Sequence, residues 1–173
     1  MVNADKALAS FQFLGSAVKS LTYGSELINY QEASSGKKKL EIGFTVQQIT
    51  NGGGSEPPKA SPDANGFDLG VLDAKLSVKF YEDESRKACL SMKVVMQGAF
   101  LSDIPVTEEV MREFLETNGA AALYSVLRAY VKAFSALFLD EGDIVLPMLN
   151  MYKLNEEANA QVKIEQNAPE KTK

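Results

Sequence analysis

Few residues in this chain have side chains suited to catalysis, and histidine is absent from all 173 positions. Without histidine the sequence lacks the side chain most often used as a general base and as a metal ligand. The one cysteine, Cys89, stands between Ala88 and Leu90 in an apolar run, which is typical of a small structural hydrophobe rather than a nucleophile. We therefore expect no histidine-dependent catalysis, no metal site and no cofactor.

Two other patterns have ordinary structural explanations. The glycines of the 52–54 run are not followed by the lysine and helix of a phosphate-binding loop, so they indicate a flexible linker. Carboxylates gather at predicted helix ends, where capping and solvation account for them, although a glycosidase-like pair remains an alternative. These carboxylates are Asp103, Glu108, Asp140, Glu141 and Asp143. The sequence favours a binding protein over an enzyme.

An excess of apolar residues indicates what kind of binding this is. In the last predicted strand Val95, Ala99 and Leu101 stand opposite the set that should face the core, and Met148 and Met151 lie in the segment around Pro147. Methionine is flexible and polarisable, and it is frequent on surfaces that accept several partners. The alternative is that these residues belong to the core or to a subunit interface.

The longest helical period runs from 118 to 139, after a shorter helix predicted over 107–117 with Thr107 as N-cap. Gly119 is expected to open the long helix and Gly142 to cap its end. Its apolar face recurs in steps of three and four residues and must be buried. The members of this face are Leu123, Val126, Leu127, Tyr130, Val131, Phe134, Leu137 and Phe138.

Period-2 alternation predicts four antiparallel strands over 11–23, 38–50, 69–81 and 87–101. The first alternation changes phase between Phe13 and Val18, which is typical of an edge strand or a bulge. The predicted fold is α+β, with a four-stranded antiparallel sheet and a short and a long helix packed on one side. We expect one domain over 1–154, an exposed loop over 52–66, a hairpin tip over 82–86 and a polar, flexible tail over 155–173.

Charge and hydropathy exclude several classes of partner. The net charge of −5 and a pI near 4.9 argue against a nucleic-acid surface, which needs basic residues to neutralise phosphates. No apolar segment has the length of a membrane span, and the first residues have neither a basic leader nor an apolar core. A single cysteine excludes an internal disulfide. We expect a cytoplasmic protein with no membrane insertion.

The order of these elements, together with four short motifs, resembles the SecB family of export chaperones. The 11–23 stretch is similar to that family's first strand, which opens with Phe-Gln and carries a lysine before an apolar, hydroxyl and aromatic run. Gly98-Ala99-Phe100 resembles the Gly-Ile-Phe that ends the family's fourth strand. The 118–128 stretch stands where its long helix starts, and 145–151 resembles the Leu-Asn-Leu-Ala-Pro-Val-Asn-Phe that follows. The resemblance covers about 11–154.

The resemblance implies a homotetramer, a dimer of dimers, that holds unfolded or nascent client polypeptides in apolar grooves without ATP, for protein export. It would act by mass action, binding the unfolded client and so preventing its folding or aggregation. Candidate client-binding residues are Phe100, Leu101, Tyr124, Phe134, Leu146, Met148 and Met151.

The sequence departs from the family where exporting members carry acidic residues for the SecA motor. Those places hold Ser20, Gly24 and Lys93, which argues against docking to the motor. A SecB-like chaperone dedicated to an antitoxin or another single client is therefore an alternative. Two further alternatives are a helix-grip carrier of a small ligand and a purely structural oligomer.

Overall fold

The structure is a computed structural model that describes residues 11–25, 37–50, 67–81, 88–139, 143–154 and residue 156. The predictions for the 52–66 loop, the hairpin tip, the Gly142 cap and almost all of the 155–173 tail lie outside the described residues.

The described strands form one antiparallel sheet in the order β1-β4-β3-β2. They are β1 (Phe11–Ser25), β2 (Lys37–Thr50), β3 (Phe67–Tyr81) and β4 (Ala88–Val106). β4 continues past its predicted end at Leu101 because Val106 still pairs with Phe67 at the start of β3. All four predicted strands are confirmed, with β1 and β2 at the edges.

Alternation along the two central strands gives the sheet one dry face. Leu72, Ala74, Leu76, Val78 and Phe80 of β3 are buried. β4 adds Leu90, Met92, Val94, Met96 and Phe100 from the adjacent rows. Each large side chain buried in this way stabilises the fold by about 1.5–3 kcal/mol before the entropy of ordering is subtracted. We call this the inner face, and the helices pack on it.

The helical part is α1 (Glu108–Phe114) and α2 (Ala120–Ser135), joined by a π-helical turn over Leu115–Gly119. Thr107 is the N-cap of α1, as predicted, and its Oγ1 accepts a 3.4 Å hydrogen bond from the Val110 amide. Gly119 does not open a new helix, because its φ of −61° and ψ of −46° are helical. The short and long helices are therefore contiguous, and the predicted fold class is confirmed.

α2 ends at Ser135, before its predicted end at Leu139. The amide of Leu137 bonds to the carbonyl of Phe134 three residues back, which tightens the chain and rotates the following side chains. Leu137 is 78% exposed and Phe138 is 50% exposed. The prediction that both belong to the buried helical face is wrong for this reason.

The imperfect alternation of β1 reflects two irregularities in an edge strand. Its pairing with β4 shifts register between Phe13 and Gly15, and again between Val18 and Ser20. Each bulge returns apolar residues to the inner face, so that Val18 pairs with Met96 and Leu21 pairs with Val94. The sequence-based prediction of an edge strand or a bulge is confirmed on both counts.

Cys89 is buried, and its thiol donates a hydrogen bond of 3.2 Å to the carbonyl of Phe80. The residue lies where β3 and β4 shift register between Phe80 and Tyr81. A small side chain that also satisfies a carbonyl suits this position. The structural interpretation of Cys89 is confirmed.

Candidate functional site

The segment over 143–154, which we call the strap, runs back along α2 in the opposite direction. The hydroxyl of Ser135 accepts a 2.8 Å hydrogen bond from the amide of Ile144. About two turns before Ser135, Arg128 donates from Nε to the Leu146 carbonyl at 3.0 Å. About one turn further back, the Tyr124 hydroxyl donates to the Pro147 carbonyl at 2.8 Å. Three side chains on one flank of the helix therefore hold the strap by its backbone.

Side chains of the strap alternate between the core and solvent. Ile144 and Leu146 are buried, whereas Val145 is 66% exposed and Met148 is 80% exposed. A helical turn at 151–154 follows, capped by the Asn150 side chain, which accepts from the Lys153 amide. It buries Met151 and leaves Tyr152 64% exposed. We call the exposed set of Val145, Met148 and Tyr152 the strap surface.

The charged and phenolic groups under the strap keep it in place at neutral pH. Burial raises the pKa of the Tyr124 phenol, and the nearby Arg128 guanidinium opposes part of that rise. The phenol therefore stays protonated and can donate to the Pro147 carbonyl. The Arg128 guanidinium also donates a 2.7 Å hydrogen bond to the sulfur of Met148. This bond orients the side chain of Met148, which remains exposed to solvent.

A second apolar surface lies where the end of β1 meets the last turns of α2. We call it the aromatic cluster, and its members are Tyr23, Tyr130, Phe134 and Phe138. The Phe134 ring lies 4.5 Å from Phe138, 5.9 Å from Tyr130 and 6.5 Å from Tyr23, centroid to centroid. Tyr23 also lies 5.1 Å from Phe138. No member is fully buried, so this cluster forms a half-open apolar surface.

The start of β1 carries a comparable group of rings against α1. Phe11 stacks on Phe114 with ring centroids 4.0 Å apart, and Phe13 lies 5.1 Å from the buried Phe100. Phe13 is 39% exposed and its neighbour Leu14 is 54% exposed. Apolar side chains are thus accessible at both ends of this edge strand.

The seven candidate client-binding residues fall into four places. Tyr124, Leu146, Met148 and Met151 meet at the strap, but Met148 alone of these is exposed. Phe134 lies in the aromatic cluster, and Phe100 lies beneath Phe13. Leu101 is separated from the others because it pairs with Leu69 and Gln12 on the opposite, outer face of the sheet.

Sequence reasoning missed the most exposed neighbours of these residues. Val145 could have been found, because the alternation of Ile144, Val145 and Leu146 is visible in the sequence. Tyr23 could not, since its contact with Phe134 joins positions far apart in the chain. Phe138 was assigned to the buried face because the early end of α2 was not foreseen.

The described residues hold no group of three or more cysteine, aspartate or glutamate side chains placed to bind a metal ion. Within the same part of the chain, none of the helices has both the length and the apolar character needed to cross a membrane.

Comparison with known proteins bears on the fold. No protein-family model and no curated protein sequence matches the chain. Among solved structures, it is similar to a SecB-like chaperone of Mycobacterium tuberculosis, Rv1957, in complex with a ChAD peptide from the Rv1956 HigA1 antitoxin. The two share 15% identity with a TM-score of 0.53, over 81% of this chain and 91% of that one.

The chain has a SecB-like fold. The resemblance seen in the sequence is thereby confirmed for the architecture, since identity this low carries no residue-level correspondence. A second similar structure is a protein of unknown function from Streptococcus agalactiae, with 16% identity and a TM-score of 0.39 over 80% of this chain and 97% of that chain.

Proposed function

We propose that this SecB-like protein is an ATP-independent holdase that binds unfolded or nascent client polypeptides on its exposed apolar surfaces. The observation that carries the proposal is the strap surface, where Val145, Met148 and Tyr152 project into solvent from a segment whose backbone is tied to α2. A soluble domain rarely leaves apolar side chains gathered in this way unless another chain covers them. Methionine can adapt to clients of different shape.

The roles that we propose for the residues of these surfaces follow from their burial. Phe134 and Met148 contact the client directly, joined by Phe138, Val145 and Tyr152. Four buried residues act as positioning residues that hold the surface from beneath, namely Phe100, Tyr124, Leu146 and Met151. Leu101 lies on the outer face and has no part in either apolar surface.

A binding role fits the chain better than catalysis or small-ligand transport. No histidine is available as a general base, and Cys89 is buried with its thiol bonded to a carbonyl. A helix-grip carrier would need space between the sheet and α2. Instead Leu123, Leu127 and Val131 of α2 and Met92 and Met96 of β4 are all buried in one packed core.

The fold also suggests how the chain assembles in the cytosol. The resemblance to the SecB family implies a tetramer built as a dimer of dimers. β1 is a long edge strand with apolar residues such as Phe13 and Leu14 exposed beside it, and such an edge tends to pair with another chain. We propose that β1 lies in a contact between copies, which leaves the strap surface to the client.

A chaperone dedicated to one client is the second candidate. The similar mycobacterial structure is a complex with a peptide from an antitoxin. Ser20, Gly24 and Lys93 all lie on the outer face of β1 and β4, so the acidic surface expected of an exporting relative is missing there. These observations favour a narrow client range and argue against the SecA motor as a partner.

The deciding experiment titrates a slow-folding, denatured model protein with this chain and follows its refolding rate without nucleotide. Retarded refolding that resumes on dilution supports a general holdase. If refolding is unaffected while the protein is an intact oligomer, the general holdase proposal fails, and co-purification from its own cells then tests the dedicated-client alternative.

Two variants locate the client surface. Val145→Glu with Met148→Glu places two charges on the strap surface and should abolish the retardation. Thr45→Glu with Gln48→Glu adds the same two charges on the outer face of β2 and should leave it unchanged. Equal activity of both double variants would show that the strap surface does not bind the client.

A further inference from the structure

The outer face of the sheet, which no helix covers in the described part of the chain, carries a regular grid of side chains. Register pairing aligns one residue from each strand in rows across β2, β3, β4 and β1. Three successive rows are Lys39-Lys79-Ser91-Gly24, Glu41-Ser77-Lys93-Thr22 and Gly43-Lys75-Val95-Ser20. Most positions between the lysines are thus glycine, serine or threonine, which makes this part of the face flat and leaves the long lysine side chains standing above it.

The face has a shallow depression of about 450 Å³ at its centre. Gly43 lies in it, and the side chains of Lys75 and Lys93 border it. A Cβ placed on Gly43 would meet no atom within 4 Å, so the space above the backbone there is open. Neighbouring strands are about 4.8 Å apart, so the depression lies within reach of both ammonium groups.

The net charge of these three rows has a sign opposite to that of the whole protein. Four lysines, Lys39, Lys75, Lys79 and Lys93, share the three rows with one carboxylate, Glu41. Glu41 is engaged by Lys39, whose Nζ lies 2.6 Å away. No described residue forms an ion pair with any of the other three lysines. The chain as a whole has a net charge of −5.

The lysines lower the pKa of the one carboxylate among them, Glu41. The hydrogen bond and charge of Lys39 lower the pKa of Glu41, and the charges of Lys79 and Lys93 lower it further. Glu41 is therefore ionised at neutral pH and neutralises one lysine only. The remaining ammonium groups are solvated and available to carboxylates of another molecule.

We propose that the outer face is a docking surface for an acidic, extended polypeptide segment of a partner protein, which lies across the depression at Gly43 between Lys75 and Lys93. Lys75 and Lys79 are four residues apart, roughly 13 Å along β3, and an extended chain presents its own residues at the same spacing. A nucleic acid fits less well, because Glu41 stands among the lysines and the protein is acidic overall. This surface is distinct from the strap surface proposed for the client.

The test uses the full-length protein and a fluorescent peptide of alternating glutamate and serine, about twelve residues long, which spans roughly 40 Å when extended. Binding is measured by anisotropy at low salt and near physiological salt, where screening should weaken it. Lys93→Glu should reduce the affinity by about tenfold or more, because a contact ammonium becomes a repelling carboxylate. Lys153→Glu changes the net charge equally on the strap and should leave the affinity unchanged.

A second variant and an oligonucleotide of the same charge complete the test. Gly43→Phe fills the depression without a clash at Cβ, and we expect it to weaken peptide binding while the circular dichroism spectrum and the oligomeric state stay the same. Retention of wild-type affinity by Lys93→Glu or by Gly43→Phe overturns the proposal, and so does tighter binding of an oligonucleotide of the same charge. Because refolding of the model client is measured separately, failure here leaves the holdase proposal standing.

Discussion

At the scale of single residues, Tyr124 connects the core of this protein to its candidate binding surface. The ring is buried among core side chains and the hydroxyl donates to the Pro147 carbonyl. Met148, the most exposed large apolar residue in the described part of the chain, follows directly. The Tyr124 phenol, with Arg128 and Ser135, therefore holds the strap surface in position.

Tyr124→Phe removes the hydroxyl and leaves the Pro147 carbonyl without this donor, so the free energy of unfolding should fall by about 1 kcal/mol at neutral pH. Urea denaturation followed by circular dichroism measures this change. Tyr152→Phe is the control, since Tyr152 is exposed and its hydroxyl contributes no such bond to the core. Equal stability of both variants would show that the strap is held without the phenol.

The raised pKa of Tyr124 gives a pH dependence with a defined sign. The folded state holds the phenolic proton more tightly than the unfolded chain, in which the pKa is near 10.0. The stabilising contribution is complete below that value and is lost as the pH rises through the folded-state pKa. Unfolding free energies of the wild type should therefore fall more steeply above pH 10 than those of Tyr124→Phe. Parallel curves would contradict the assignment.

Two glycines of the sheet offer a matched test of packing. A Cβ on Gly70 would lie 2.7 Å from Cδ1 of the buried Leu115, whereas a Cβ on Gly43 meets nothing within 4 Å. Gly70→Ala should destabilise the protein by about 1–3 kcal/mol through overpacking. Gly43→Ala, measured by the same denaturation, should not. A stable Gly70→Ala variant would mean that the π-helical turn can move away from β3.

At the scale of elements, the strap and the end of α2 determine what is exposed. Because the helix ends at Ser135, Phe138 turns outward into the aromatic cluster and Leu137 turns into solvent instead of the core. The strap then takes their place, with Ile144 and Leu146 as the buried side chains. One early helix end thus contributes to both apolar surfaces.

The alternation of the strap predicts opposite outcomes for two adjacent positions. Ile144→Ala should lower the free energy of unfolding by about 2–5 kcal/mol, because it opens a cavity in the core. Val145→Ala, one residue later and mostly exposed, should change it by less than about 0.5 kcal/mol. The same pair should show the reverse order of effect on client binding, and similar stabilities would contradict the described course of the strap.

At the scale of the whole molecule, two faces of the sheet have different chemistry. The side that carries the helices exposes apolar residues at the strap surface and in the aromatic cluster, and the outer face presents solvated lysines. Under the proposals above, one protomer would hold a client on one side and an acidic partner on the other without competition between them. The edge strand β1 would then be the part of the sheet used for assembly.

Light scattering should give a particle of about four times the 18.8 kDa chain mass, as expected for a dimer of dimers. Phe13→Glu with Leu14→Glu places two charges at the β1 edge and should produce smaller particles. Thr45→Glu with Gln47→Glu, on exposed positions of β2, is the control and should leave the mass unchanged. A monomeric wild type would contradict the proposed assembly.

The sequence determined the elements whose pattern is local. Alternation placed four strands within a few residues of their observed limits, and the period of Leu123, Leu127 and Val131 identified the buried side of α2. Thr107 gave the start of α1 because capping involves residues three positions apart. Even the bulges of β1 were visible as a change of phase.

Tertiary structure decided which of these apolar residues a partner can reach. Apolar character is the same for Leu146 and Val145, yet the hydrogen bonds from α2 orient one into the core and the other into solvent. Lys39, Lys75 and Lys93 come from three different strands, so only their register places them on one face. A linear pattern records how a residue alternates with its neighbours, whereas exposure and shared surfaces depend on contacts between distant parts of the chain.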